Sequence, residues 1–429
     1  MAMSSVPLHR LPTPPERLAE VLAGVTPQLA ASAAEHDLHG TFPHENFASL
    51  HASGLIAQVI PQSHGGGGAD LKTARQIIAA IARADAATAL VLTMTYLQHR
   101  AISRTDSHWP EHVRQQVFAT ALNEGALINS LRVEPDLGSP ARGGLPATVA
   151  TRVGNSWRIR GRKLYSTGSP ALRWLAVWGR TDEPEPRVGF FLVPRPSADT
   201  PGIRIEQTWN HLGLRASGSH DVVLEDVEIP LDHAVDIRPP AQWSAHGGQQ
   251  AHTKADTGAQ LDQQAWMTVL LGSLYDAVAQ AAWDWLAQFL NARAPANLGA
   301  PLATLPRMQE TAGDIAAALR TNRVLLDHAA EAADAGAPLS ITDSGLLKYT
   351  VTTNAIRAVE LALQLSGNHG LSRHNPLERH YRDVLCSRIH TPQNDSILLA
   401  AGRAALGVSL DGARQLQQDR SASIAKTES

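Results

Sequence analysis

The sequence predicts an α + β protein of several domains rather than a doubly wound sheet. Three observations carry this. Apolar residues recur at helical spacing through the first third of the chain. Alternating, β-branched segments then occupy one block in the middle. Long helical patterns return after it. With 429 residues, of which 43% are hydrophobic, there is material for two or three cores at roughly 150 residues per domain. The divisions expected are 1–125 (helical), 126–235 (β) and 236–429 (helical).

In the first block, Pro14 suits the start of a helix that continues through residues 16–37. Residues 45–53 form a short helix closed by Gly54. Gly65, Gly66, Gly67 and Gly68 make a flexible loop. They follow no strand of a βαβ unit and so are not a dinucleotide fingerprint. Asp70 caps a helix over 71–85, and a more apolar helix runs from Ala87 to Ala101. From Leu127 to Val235 the strand segments are separated by turns such as Gly154-Asn155. Residues 239–260 are polar and read as a mobile loop. Helices follow over 262–292, 306–335, 343–366 and 396–406, broken by Gly367, Gly370 and Pro376, and the polar tail from Gln415 frays.

Net charge is −3, with a pI near 6.7, so no field of either sign attracts nucleic acid or an anionic membrane. The lone Cys386 can form neither an internal disulfide nor a CxxC metal site. The nineteen histidines are scattered, and no metal centre is expected. No apolar run approaches the roughly 20 residues of a membrane span, and the amino terminus lacks a signal-peptide pattern. The expected compartment is the cytoplasm.

Several local patterns in order resemble the acyl-CoA dehydrogenase superfamily, across about residues 15–407. They are Pro61 to Gly66, Ala82-Arg83-Ala84-Asp85, Glu134 to Ser139, and Gly161 to Gly168. After them come Leu212 to Ser217, Glu225 to Pro230, Leu298 to Leu302, Gly367 to Gly370 and Tyr381-Arg382-Asp383. The resemblance implies an amino-terminal helical domain, a central β-barrel and a carboxy-terminal four-helix bundle. It also implies a flavin, FAD or FMN, between barrel and bundle, in a homodimer or homotetramer. The apolar positions of the long bundle helices exceed what one seam can bury, which favours a tetramer made of two dimers.

By the same resemblance Tyr165 packs on the flavin ring. Thr167, with Ser166 beside it, reaches the N5 edge, and Leu131, Val133 and Ser139 flank the pyrimidine. Such a ring needs a flat face to pack on and donors aimed at its polar edge. Val133 replaces a threonine of the family pattern. Arg293, Gly367 and Gly370 correspond to a phosphate- and adenine-holding set, partly from a neighbouring subunit, although the arginine motif is degraded here.

The family's catalytic glutamate is missing. Without gaps, Thr391 occupies its usual position, and a hydroxyl cannot be base for a weak carbon acid. At the alternative position, early in the first bundle helix, Ala265 is nearest. Asp262 and Asp395 lie close by in sequence, each read as a solvated helix-start residue. Ile389-His390-Thr391-Pro392 instead resembles the active-site segment of flavin monooxygenases of the same fold, such as the dibenzothiophene monooxygenases, with Thr391 where those carry Asp. There a histidine beside the flavin assists its reaction with oxygen, a role for a donor titrating near neutrality, which His390 would fill. Tyr96 and His99 would complete a polar pocket, with interhelix packing as the competing account. The expected function is a monooxygenase acting on a small organic substrate. No NAD(P)H motif is present, so reduced flavin would come from a separate reductase. The alternative is an acyl-CoA dehydrogenase with a displaced base. A non-catalytic relative that binds DNA would need a basic surface this chain lacks.

Overall fold

The computed structural model describes residues 12–136, 144–243 and 254–408. Five helices open the chain: α1 (Leu18–His39), α2 (His44–Ala52), α3 (Leu71–Ala84), α4 (Ala86–Ser103) and α5 (Glu111–Glu124). Helix α3 shows why they form. Asp70 accepts the Thr73 N–H at 2.8 Å as N-cap, and Leu71, Ala74, Ile77, Ile78 and Ile81 bury one face. Its two first amides are taken from outside the domain. Asp334 accepts from Leu71 N–H at 2.8 Å and Lys72 N–H at 2.9 Å, which ties α3 to the last domain. Helix α5, unassigned from sequence, buries Val113, Val117, Phe118 and Ala121 on one side.

The glycine run is not a loose loop. Gly67 and Gly68 N–H donate to the Ala57 and Ile60 carbonyls. A Cβ on Gly66 would sit 2.1 Å from the Ile60 oxygen, so close backbone approach, rather than flexibility, requires glycine there.

Eight strands follow: β1 (Leu127–Leu131), β2 (Val149–Val153), β3 (Ser156–Ser166), β4 (Leu172–Thr181), β5 (Val188–Pro194), β6 (Ile203–Glu206), β7 (His220–Pro230) and β8 (Asp236–Arg238). They make one mixed sheet, in the order β6-β7-β3-β2-β4-β5-β8, with β1 parallel to β4. The long antiparallel pairing of β3 with β7 is its spine, and β3 alternates buried and exposed residues over much of its length.

The third domain contains α6 (Lys254–Ala292), α7 (Pro306–Asp334), α8 (Ile341–Ser366), α9 (Asn368–Leu371), α10 (Leu377–Leu385) and α11 (Asn394–Ala405). Helix α6 packs against α3, α4, α7, α8 and α10 and is the common wall between first and last domains. It begins at Lys254, inside the stretch expected to be a loop, so Asp262 lies within the helix rather than at its start. Among the described residues, no helix is long and apolar enough to cross a membrane.

Candidate active site

The sheet contributes the end of β3. Tyr165 sits at φ 54°, in the left-handed region, with its side chain largely exposed. Its ring meets the edges of Trp209 and His211, at 6.4 and 5.8 Å between centroids, and these two stack on each other at 3.6 Å. Ser166 is buried. Its hydroxyl and that of Ser130 on β1 have no partner among the described residues. The Thr167 hydroxyl joins Ser219 (2.9 Å) and through it Ser217 (2.7 Å), while its carbonyl accepts from Asn129 at 3.0 Å. Leu131 is buried on β1, and the Val133 carbonyl accepts the Leu164 N–H at 2.9 Å. Ser139 lies outside the described residues.

Two residues of the family-like motifs have a structural task that the sequence did not reveal. Glu134 and Lys163 are fully buried and paired at 2.6 Å. Lys163 also donates to the Trp178 carbonyl. Glu134 accepts the Ala147 and Thr148 N–H groups at 2.6 and 3.0 Å. Burial works against ionisation of Glu134, but the Lys163 ammonium and these N–H groups outweigh it and hold its pKa below the ordinary range. The pair fixes the turn bearing Val133 against β3.

The bundle contributes His390, half-buried in the turn between α10 and α11. Its Nδ1 is hydrogen-bonded to the hydroxyl of Tyr275, a fully buried residue of α6. Lys348 of α8, also fully buried, sends its ammonium into the same turn. It donates to the carbonyls of Ser387 (2.7 Å), His390 (3.1 Å) and Pro392 (3.0 Å) and to Asn394 Oδ1 (3.0 Å). Burial lowers the Lys348 pKa to about 8. Burial, and secondarily the Lys348 charge, lower that of His390 to about 4. This corrects the expectation of titration near neutrality: His390 is a neutral imidazole at pH 7. Thr391 is exposed and is joined to Pro392 by a cis peptide bond.

Neither nearby aspartate stands free. Asp262 is bound by Arg100 through two bonds, at 2.7 and 3.0 Å, and by Arg104 at 3.1 Å. Asp395 is exposed in the first turn of α11 and accepts the Ser396 N–H. Ala265 is buried.

One docking contact joins the two halves. The Leu214 N–H donates to Asp383 at 2.6 Å, and Arg382 donates to the Leu212 carbonyl at 3.0 Å. A Cβ on Gly213 would lie 2.2 Å from the Arg382 carbonyl oxygen. The loop carrying Trp209 and His211 is thus pressed onto α10, immediately before the His390 turn. Arg382 also clasps both oxygens of Asp37 in α1, at 2.9 and 2.5 Å. Burial raises the Asp383 pKa to about 7.

Tyr96 and His99 belong to α4, and Arg293, Gly367 and Gly370 lie at or beyond the ends of bundle helices. The Tyr96 hydroxyl is fully buried and donates to the Leu55 carbonyl. His99 is fully buried against Phe118 (6.0 Å), and neither ring nitrogen has a partner among the described residues. Arg293 is exposed just past α6. It shares one end of the bundle with Gly367 (φ 56°) and buried Gly370, because Phe289 near the end of α6 meets His369 at 5.1 Å. Tyr275, Lys348, Trp209 and His211 were not foreseen. Lys348 carried a usable signal: a lone cation in GLLKYTVTT, on the face that also buries Ser344, Val351 and Ala355. Tyr275 carried none, since it lies in an apolar run that reads as core.

Family models for the acyl-CoA dehydrogenase amino-terminal, middle and carboxy-terminal domains match residues 18–105, 132–227 and 265–406. A Bacillus subtilis (strain 168) protein, YdbM, provisionally named an acyl-CoA dehydrogenase, is 32% identical over 88% of this chain and 94% of its own length. The solved structure of KijD3 in complex with FMN and a dTDP-linked amino-keto sugar covers 95% of this chain and 98% of its own, at 27% identity and a TM-score of 0.78. TdsC of Paenibacillus sp. A11-2, a dibenzothiophene monooxygenase solved with FMN and indole, shares the fold. Its TM-score is 0.74 at 19% identity, over 91% of this chain and 97% of its own. With three domains matched in order and a relative aligned nearly end to end, the chain belongs to the acyl-CoA dehydrogenase family.

Proposed function

We propose that this protein is a flavin-dependent monooxygenase that acts on a small organic substrate and receives reduced flavin from a separate reductase. The observation that carries the reading is the composition of the base position. It holds His390 and exposed Thr391 in place of a carboxylate, and Asp262, the aspartate nearest Ala265 in the sequence of α6, is bound by two arginines. Neither His390 nor Thr391 is the carboxylate that takes the proton in the family's dehydrogenases.

The residues fit a flavin. Tyr165 offers an exposed ring, and the hydroxyls of Ser166 and Ser130, without a partner among the described residues, are donors suited to a polar edge. FMN is favoured over FAD by the complexes of KijD3 and TdsC and by the degraded arginine motif around Arg293. Bound and reduced, the flavin supplies the two electrons that activate oxygen. Tyr165 and Thr167 would hold the ring, and His390 would offer a hydrogen-bond donor beside the contact between sheet and bundle.

Two measurements test this. Under anaerobic conditions, acyl-CoA thioesters of several chain lengths should leave the oxidised flavin unbleached; bleaching would establish the second reading, a dehydrogenase, which the similarity to YdbM favours. On mixing the reduced enzyme with oxygen, the wild type should release hydrogen peroxide slowly and His390→Ala about 100-fold faster. One aimed donor in a water-poor site is worth roughly 3 kcal/mol. Equal rates in the two proteins would remove His390 from the mechanism.

A further inference from the structure

We infer that Tyr275 and Lys348 are positioning residues that hold His390 as the neutral imidazole protonated on Nε2, leaving that N–H as the outward donor. This deepens the monooxygenase reading and rests on it for its functional meaning. Its structural content stands on hydrogen-bond accounting alone.

Tyr275 is fully buried, and among the described residues its hydroxyl has one partner, His390 Nδ1. A phenol has one proton to give. If Nδ1 carried the ring proton and donated to the tyrosine oxygen, the phenolic proton would be left without an acceptor among the described residues. A doubly protonated ring creates the same orphan. Only one arrangement satisfies both groups: Tyr275 donates, Nδ1 accepts, and the proton resides on Nε2. That nitrogen has no partner among the described residues, and His390 is half-buried, so Nε2–H remains for solvent or ligand.

The ionisation directions agree. Burial raises Tyr275 well above the ordinary phenol range, with Cys386 and Asp383 adding to it, so it keeps its proton. His390 stays neutral for the reasons given above.

Lys348 supplies the second half of the lock. Its four acceptors all come from the 387–394 turn, and three of them are main-chain carbonyls. An ammonium is a point donor around which carbonyls can converge without a fixed fork. It pins the His390 backbone from beneath while Tyr275 pins the ring. Replacing it by an apolar residue would strip the turn of its buried donor and free Nδ1 to leave the tyrosine.

The test reads the ring nitrogens directly. Protein labelled with 15N-histidine is studied by long-range 1H–15N correlation at pH 7, with the His390 signals assigned by their loss in His390→Gln. The expected wild-type pattern is a pyridine-type Nδ1 and a pyrrole-type Nε2. Tyr275→Phe, which preserves packing, should shift His390 to a mixture of tautomers. Lys348→Met should broaden or multiply its signals while the other histidines stay in place. A protonated Nδ1 in the wild type, or a Tyr275→Phe pattern identical to wild type, would overturn the inference. The wild-type measurement suffices if Lys348→Met does not fold. Should the nitrogens behave as expected while His390→Ala leaves peroxide release unchanged, the lock stands and the part given to His390 in the monooxygenase reading falls. The two failures are thereby separated.

Discussion

His99 shows what burying an imidazole does to a protein's stability. Burial lowers its pKa to about 3, that of His380 to about 3 and that of His390 to about 4. Each is neutral in the folded state, whereas in the unfolded chain it takes up a proton below about pH 6.5. The unfolded state therefore binds more protons as pH falls from about 6.5 towards 3, and stability is lost through that window at about 1.4 kcal/mol per pH unit for each group. Asp276 and Asp383, raised by burial to about 6 and 7, act in the opposite sense, so the informative quantity is a difference. His99→Leu should gain on the wild type by about 1.4 kcal/mol for every unit of acidification between pH 6 and 3.5, read from urea unfolding at several pH values. A constant difference would mean that His99 is charged in the folded protein. This residue also marks a boundary of sequence reading. Helix α4 is buried almost all round, so spacing alone could not separate a pocket-lining His99 or Tyr96 from a packed one. His390 was legible because it stands where a recognisable motif ends. Tyr275 and Lys348, distant in sequence, were not.

At the level of elements, the buried Glu134–Lys163 pair ties β3 to the turn at Val133. Breaking such a pair from one side leaves an uncompensated charge. Lys163→Met should cost about 3–5 kcal/mol, and adding Glu134→Gln should recover a large part, because both charges are then removed. Denaturant titration of the two variants checks this, and equal losses in single and double variants would contradict it. The pair shows how far a motif carries. Both residues were visible as letters of family-like segments, but their meeting depends on β3 running beside the turn at Val133, which no local pattern encodes. Helix boundaries were clearest where a cap was present, as at Asp70. They failed at the start of α6, where polar residues and Gly258 look like loop. In α5, charged and amide residues dilute the apolar spacing.

For the molecule as a whole, the order of helix, sheet and helix blocks and the succession of motifs were enough to set out the three-domain fold. The contacts between domains were not, because they involve backbone amides and carbonyls that every sequence possesses. The exposed surface points beyond one chain. Ile389, Leu398, Leu399 and Leu406, in and around α11, are between 44% and 80% exposed, more apolar surface than a helix end leaves uncovered without reason. We expect a tetramer made of two dimers, and sedimentation at micromolar concentration should show it; a stable monomer would refute it. Within each chain, Arg382 binds Asp37 of the first domain and the Leu212 carbonyl of the second while belonging to the third. Asp334 closes the circle by capping α3. Domain borders here are consequently not folding borders. A fragment cut at either junction would carry helix ends and carbonyls whose partners were left behind, and the three parts inherit a common cooperativity from a guanidinium and a carboxylate.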